Sequence, residues 1–152
     1  MALHEEAVNA TANRLVRKLL LNTSVESFGI MHQMPLVHFR NEHGNDMVLC
    51  FDSPILFHPE HGPCTDSNEY LLIGMNRVNL KMVVDATCTA ASDLEVYFED
   101  GSWFRISGTS EDGNEPWQLS DGLPVDEDGT LIIAQTEGGY AIWNGSSIDK
   151  VN

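Results

Sequence analysis

The chain has 152 residues, 42% of them hydrophobic, and 23 acids against 8 Lys and Arg give it a formal net charge of −15. That length supports one domain with a core of its own, and no apolar run approaches the roughly 18 residues of a membrane span. The charge disfavours DNA and RNA, whose phosphates it repels, and it suits a basic protein partner.

Residues 2–21 read as a helix. Val8, Ala12, Leu15 and Leu19 recur at helical spacing, and Val16 and Leu20 widen the stripe. Glu5 and Glu6 lie in the first turns and Arg17 and Lys18 in the last, the order a helix dipole favours. The same order, with acids ahead of bases, is the reverse of a secretion signal. Three cysteines without a paired motif (Cys50, Cys64, Cys88) suit a reducing compartment. Both observations lead us to expect a cytoplasmic protein.

The period then changes to two. Residues 35–40 and 46–52 predict strands joined at Asn41-Glu42-His43-Gly44-Asn45, and 58–68 reads as a surface loop. In 77–85, Val78, Leu80, Met82 and Val84 alternate with Asn79, Lys81 and Asp85, which predicts another strand. Leu94, Val96 and Phe98 alternate with Glu95, Tyr97 and Glu99. Asp100-Gly101 turns the chain, and Trp103-Phe104-Arg105-Ile106 returns. Further strands are expected at 116–119, 130–134 and 139–143, with loops at 109–115 and 120–129. The expected fold is α+β and β-dominated: an antiparallel sheet or small open barrel with an N-terminal helix packed on it. Within one domain spanning 1–152, residues 1–22 are the helix, 25–57 a first hairpin region, 58–68 a loop and 69–152 a second β region.

The two hairpins share a plan. The first runs from Leu36 through a Gly turn to Ser53-Pro54-Ile55-Leu56-Phe57, and the second from Leu94 through Asp100-Gly101 to Glu115-Pro116-Trp117-Gln118-Leu119. A duplicated unit would give this pattern, and so would the features common to any two hairpins.

The stretch Leu94-Glu-Val-Tyr-Phe-Glu-Asp-Gly-Ser102, then Glu115-Pro-Trp-Gln-Leu119, then Gly138-Gly-Tyr-Ala-Ile-Trp143 resembles the ending of a widespread family of small uncharacterised bacterial proteins. The resemblance covers residues 28–144, more loosely over 35–57, and leaves out the first helix. Its motifs are turns, core aromatics and strand alternation, so it transfers no catalytic residue. It implies a likeness to immunity proteins of interbacterial toxin systems, which are small, acidic inhibitors that block a toxin domain by tight binding.

His58, His61 and Cys64, with Asp66 beyond, are zinc-ligand types at reachable spacing, but a second ligand pair is missing and Pro59 and Pro63 suit a plain loop. Cys50 lies on an apolar strand and reads as a small core residue; neither it nor Cys64 has a nucleophile's local context. Asp126-Glu127-Asp128 reads as a solvated turn. No catalytic residue, metal or cofactor is therefore expected. A small adaptor module is the alternative, and a metal-dependent or thiol hydrolase using 32–66 is a second.

Charge is distributed unevenly. From Asp85 to Asp149 there are fourteen acids and a single base, Arg105. We expect this half to meet a basic protein partner, which the resemblance makes a toxin domain such as a nuclease, and neither nucleic acid nor a membrane. The partner-binding candidates are Glu95, Tyr97, Glu99, Asp100, Trp103, Glu111, Asp112, Asp126, Glu127 and Asp128, with Trp103 facing outward and Arg105 paired within the domain.

Overall fold

The computed structural model describes residues 2–145, with side chains from residue 6 onward. The expectations placed on the side chain of Glu5, on Asp149 and on the end of the chain to 152 lie outside the described residues. Helix α1 spans Ala2–Leu20 and carries Arg17 and Lys18 in its last turn. It stops where Thr23 turns both its amide and its hydroxyl onto the Leu20 carbonyl, with Asn22 left-handed (φ 64°) between them.

Strands β1 (Ser24–Met31), β2 (Met34–Arg40) and β3 (Asp46–Phe51) form an antiparallel meander. Strand β4 (Ile55–His58) then leaves for a second sheet. Helix α2 (Ser67–Val78) follows, and β5 (Val83–Cys88), β6 (Leu94–Phe98) and β7 (Trp103–Ile106) make a second meander. Strand β8 (Trp117–Ser120) crosses back, and β9 (Leu131–Ala134) and β10 (Tyr140–Trp143) extend its sheet. The result is a six-stranded sheet, β1-β2-β3-β8-β9-β10, facing a four-stranded sheet, β4-β7-β6-β5, with all neighbours antiparallel. The β-dominated α+β class expected from the sequence is the one observed.

Between the sheets lie Val37, Phe39, Leu49 and Phe51 from one side and Val96, Phe98, Phe104 and Ile106 from the other. The helices close the two seams where the sheets stop. Helix α1 touches β5, β9 and β10, and Asn13 Oδ1 accepts the Cys88 amide (3.0 Å) and the Thr87 hydroxyl (2.9 Å) of edge strand β5. Helix α2 touches β1, and its Tyr70 hydroxyl accepts the Phe57 amide of edge strand β4 (3.0 Å). Edge amides that would otherwise be open to another strand are thereby engaged.

The meanders are two copies of one plan. One offset relates Asn22 to Leu80, Ser24 to Met82 and Val25 to Val83. Asn22 and Leu80 both adopt positive φ (64° and 66°), and a bulge follows both Val25 and Val83. Contacts between the copies are reciprocal. Asn22 N donates to Val83 O (3.0 Å) and Leu80 N to Val25 O (2.7 Å), while Ser24 and Met82 bridge each other. Asp52 N donates to Pro116 O and Ser107 N to Pro54 O, both at 2.9 Å. Reciprocity of this kind is the signature of a two-fold relation, here within one chain. Each copy lends its fourth strand to the sheet of the other.

Three expectations need correction. The strand expected over 77–85 is instead the end of α2, a turn, and the start of β5. Asp66 caps the helix by accepting the Glu69 amide (2.8 Å), the Glu69 carboxylate receives the Thr65 hydroxyl (2.7 Å), and this start signal with the buried stripe Leu71, Met75 and Val78 outweighs the short alternating pattern. Leu80 is 66% exposed in a positive-φ turn ahead of the strand, and Met82 and Val84 are exposed as well, while Val83 and Ala86, on either side of the bulge, point inward. The second β region assigned to 69–152 therefore opens with helix to Val78, and the 58–68 loop gives up His58 to β4 and its last two residues to α2. Finally, Cys50 is not a core residue. Met47, Leu49 and Phe51 take the inward positions of β3, which leaves Cys50 half-buried on the outer face.

Candidate functional site

The outer face of the four-stranded sheet carries the aromatic and acidic residues singled out above. In β6 and β7 the register sets Glu95 opposite Arg105 and Tyr97 opposite Trp103, all pointing away from the core. Arg105 Nε donates to Glu95 Oε2 and the Tyr97 hydroxyl to Glu95 Oε1, both at 2.8 Å. The Glu95 bond pushes the Tyr97 phenol above its ordinary value. The Arg105 guanidinium lies 5.3 Å from the Trp103 ring centre, and His58 stacks on Trp103 at 5.2 Å and 13°.

The acids around this face already have donors. Glu99 Oε2 accepts the Met82 amide (2.9 Å), and Asp85 lies 3.5 Å from Arg17. Asp100 accepts the hydroxyl and amide of Ser102 and faces Lys81 at 3.5 Å. Ser102 first, and Lys81 after it, hold the Asp100 carboxyl below the usual carboxylate range. Glu95, Tyr97 and Trp103 thus come together, with Glu99 and Asp100 at the adjoining turn. Exposed, paired charges of this kind add little net field.

Glu111 and Asp112 belong elsewhere. They lie in the crossover between β7 and β8, on the rim of a groove of about 620 Å³. The crossover between β3 and β4 supplies Asp52, Ser53 and Pro54, the β1–β2 turn supplies Gln33, and the first turns of α2 supply Tyr70 and Leu71. The lining is mixed: Phe51, Ile55 and Leu71 are apolar, Gln33, Ser53, Ser67 and Asn68 are polar, and Asp52, Glu111 and Asp112 bring carboxylates to it. Among the described residues, no Lys, Arg or His lines the groove. Asp112 accepts the Ser110 hydroxyl and the Asn114 amide (3.2 Å), and these bonds, Ser110 first, hold its carboxyl below the usual range. Asn114 Nδ2 reaches Asp52 Oδ2 (3.3 Å), joining the two crossovers.

Asp126, Glu127 and Asp128 stand apart from both places, in and just after a single 3-10 turn (Val125–Glu127) between β8 and β9, exposed to solvent. The His/Cys segment also divides. His58 goes out to Trp103, while His61 stacks on Tyr70 at 4.4 Å with Nε2 3.0 Å from the Tyr70 carbonyl. Cys64 Sγ turns back to Gly62 O (3.5 Å). Among the described residues, no three His, Cys, Asp or Glu side chains gather as a metal-ligand set.

Sequence reasoning missed most of the groove: Gln33, Phe51, Asp52, Ile55, Tyr70 and Leu71 come from three separate segments. The usable signal was the parallel between Ser53-Pro54-Ile55 and Glu115-Pro116-Trp117, which marks two matching crossovers. In comparisons with known proteins, no family model, curated protein or solved structure matches this chain.

Proposed function

We propose that the chain is a binding protein of the immunity kind, which neutralises a basic toxin domain by direct contact. The observation that carries this reading is the groove: three carboxylates on a mixed apolar and polar lining, with no Lys, Arg or His among the described residues that line it. A cationic partner gains both charge complementarity and buried area there. Nuclease domains are the toxins that suit such a blocker best, because a cleft that holds phosphates is basic and competes for the same charges. The Tyr97–Trp103 face is a second contact surface, where the aromatic rings supply area and the paired acids supply register.

The test uses the full-length chain as bait in its own cells, followed by binding kinetics with the captured protein. Association should slow steeply between low and high salt, since steering is screened beyond roughly 8–10 Å at physiological ionic strength. The Asp52→Asn, Glu111→Gln, Asp112→Asn triple variant should slow it too, and co-expression of the wild-type chain should protect cells from the partner's toxicity. An acidic partner, or kinetics indifferent to both salt and the triple variant, would sink the proposal.

An adaptor role has one specific observation in its favour. Trp143 is 44% exposed on the outer face of the six-stranded sheet, which also carries half-buried Leu131 and Ile133. If Trp143→Ala abolishes capture while the triple variant does not, the adaptor reading prevails.

A further inference from the structure

The two-fold relation within the chain says what kind of group the groove takes. Because Asp52 and Ser107 make matching bonds across the crossovers, Phe51 corresponds to Ile106. Phe51 pairs with Trp117 and Ile106 pairs with Ile55, so Trp117 and Ile55 occupy corresponding positions. A second correspondence follows from β2 and β6. The offset that relates Val37 to Val96 and Phe39 to Phe98 also relates Gln33 to Ser92, and both have positive φ (67° and 68°).

In the second copy the place is full. The Trp117 indole is 1% exposed, packs 5.8 Å from Tyr140, and donates its Nε1 hydrogen to the Ser92 carbonyl at 2.7 Å. In the first copy the corresponding place holds the smaller Ile55 with Gln33 beside it, and both line the open groove. The same chain therefore shows one such place closed by a flat, N–H-bearing side chain and the other left open. The rims differ as well: Asp52, Glu111 and Asp112 surround the open one.

We propose that the open groove is a receptor for an arginine side chain of the basic partner. A guanidinium is flat and carries N–H donors, as the indole does. It also carries the positive charge that the rim carboxylates call for, and its stem suits the Phe51–Ile55–Leu71 lining. Lysine matches the charge but not the shape, and a neutral aromatic matches the shape but not the charge. The inference rests on the acidic-binding reading above for its partner, and its test needs no partner.

The experiment titrates N-acetyl-arginine methylamide into the ¹⁵N-labelled full-length chain and follows amide shifts. Saturable shifts are expected at Gln33, Ser53, Ile55 and Leu71. N-acetyl-lysine methylamide should bind about tenfold more weakly, because an ammonium lacks the planar fork. Ile55→Trp, which gives the first copy the side chain of the second, should abolish the shifts while leaving the rest of the spectrum in place. If Ile55→Trp does not fold, Glu111→Gln with Asp112→Asn on the exposed rim serves instead, and should weaken the probe several-fold. The proposal is overturned if arginine and lysine act alike, if the shifts fall outside the groove, or if neither variant changes them. Salt-dependent capture of a basic partner that survives Ile55→Trp would defeat the arginine receptor and leave the acidic-binding reading standing. Arginine uptake in a chain that captures no basic partner would do the reverse.

Discussion

The two copies of the αββββ plan differ most where they correspond most closely. At one crossover Trp117 closes the space beneath the strands and bonds to Ser92; at the other Ile55 leaves a groove that opens among three carboxylates. The lesson is that one backbone plan, used twice in a chain, is divided between a place that is filled and buried and a place that is left open.

The largest test of that division is a pair of truncations. Trp117→Ala should cost about 3–5 kcal/mol in urea unfolding, the range for removing a fully buried large aromatic. Ile55→Ala, at the half-exposed counterpart, should cost under about 1 kcal/mol. Equal losses would mean that the two places are not distinct in role. The next test uses pH. Burial pushes the Cys88 thiol up to about 11 from 9.0 and raises the Tyr140 phenol above its ordinary value, whereas the residue corresponding to Cys88 in the first copy, Ile30, does not titrate. The unfolded chain releases these protons first, so stability should hold below pH 9 and fall as pH rises through about 11, by about 2 kcal/mol from the thiol. Cys88→Ala should flatten that fall; an unchanged alkaline slope would remove the thiol from the account.

The third test compares two corresponding crossover positions. Gly108 and Ser53 correspond, but a Cβ on Gly108 would lie 1.9 Å from the Ala91 carbonyl, a backbone atom that cannot step aside. Gly108→Ala should cost about 1–3 kcal/mol by overpacking. Ser53→Ala loses only the hydroxyl bond to Ser107 O (2.6 Å), about 0.5–1.5 kcal/mol. Thermal melts of the two variants in parallel would separate them.

Much of the second copy was legible because its signals are local. Leu94, Val96 and Phe98 alternate, Asp100-Gly101 turns, and Trp103 and Arg105 fall opposite Tyr97 and Glu95 as a two-residue period requires. The first helix announced itself through Val8, Ala12, Leu15 and Leu19. Helix α2 did not: its capping residues Thr65, Asp66 and Glu69 were read as loop, and the alternation from Val78 to Val84 competed with its apolar stripe. Strand β1 was hidden in the same way, since Phe28, Gly29 and Ile30 are all half-buried beside α2 and show no clean alternation.

Composition and periodicity, then, determined by themselves a β-dominated fold with a leading helix, an acidic surface and an outward Trp103, because charge counts and side-chain alternation are properties of neighbours along the chain. Tertiary structure alone decided that Asp126–Asp128 stand apart from Glu111 and Asp112, and that Asp52 joins those two around an open groove. The reason is that the fourth strand of each copy is exchanged between sheets. Two crossovers distant in sequence are brought against each other by hydrogen bonds of Asp52 and Ser107 to the facing prolines. A site made at that exchange has no period in the sequence, because its residues become neighbours only once both copies have folded.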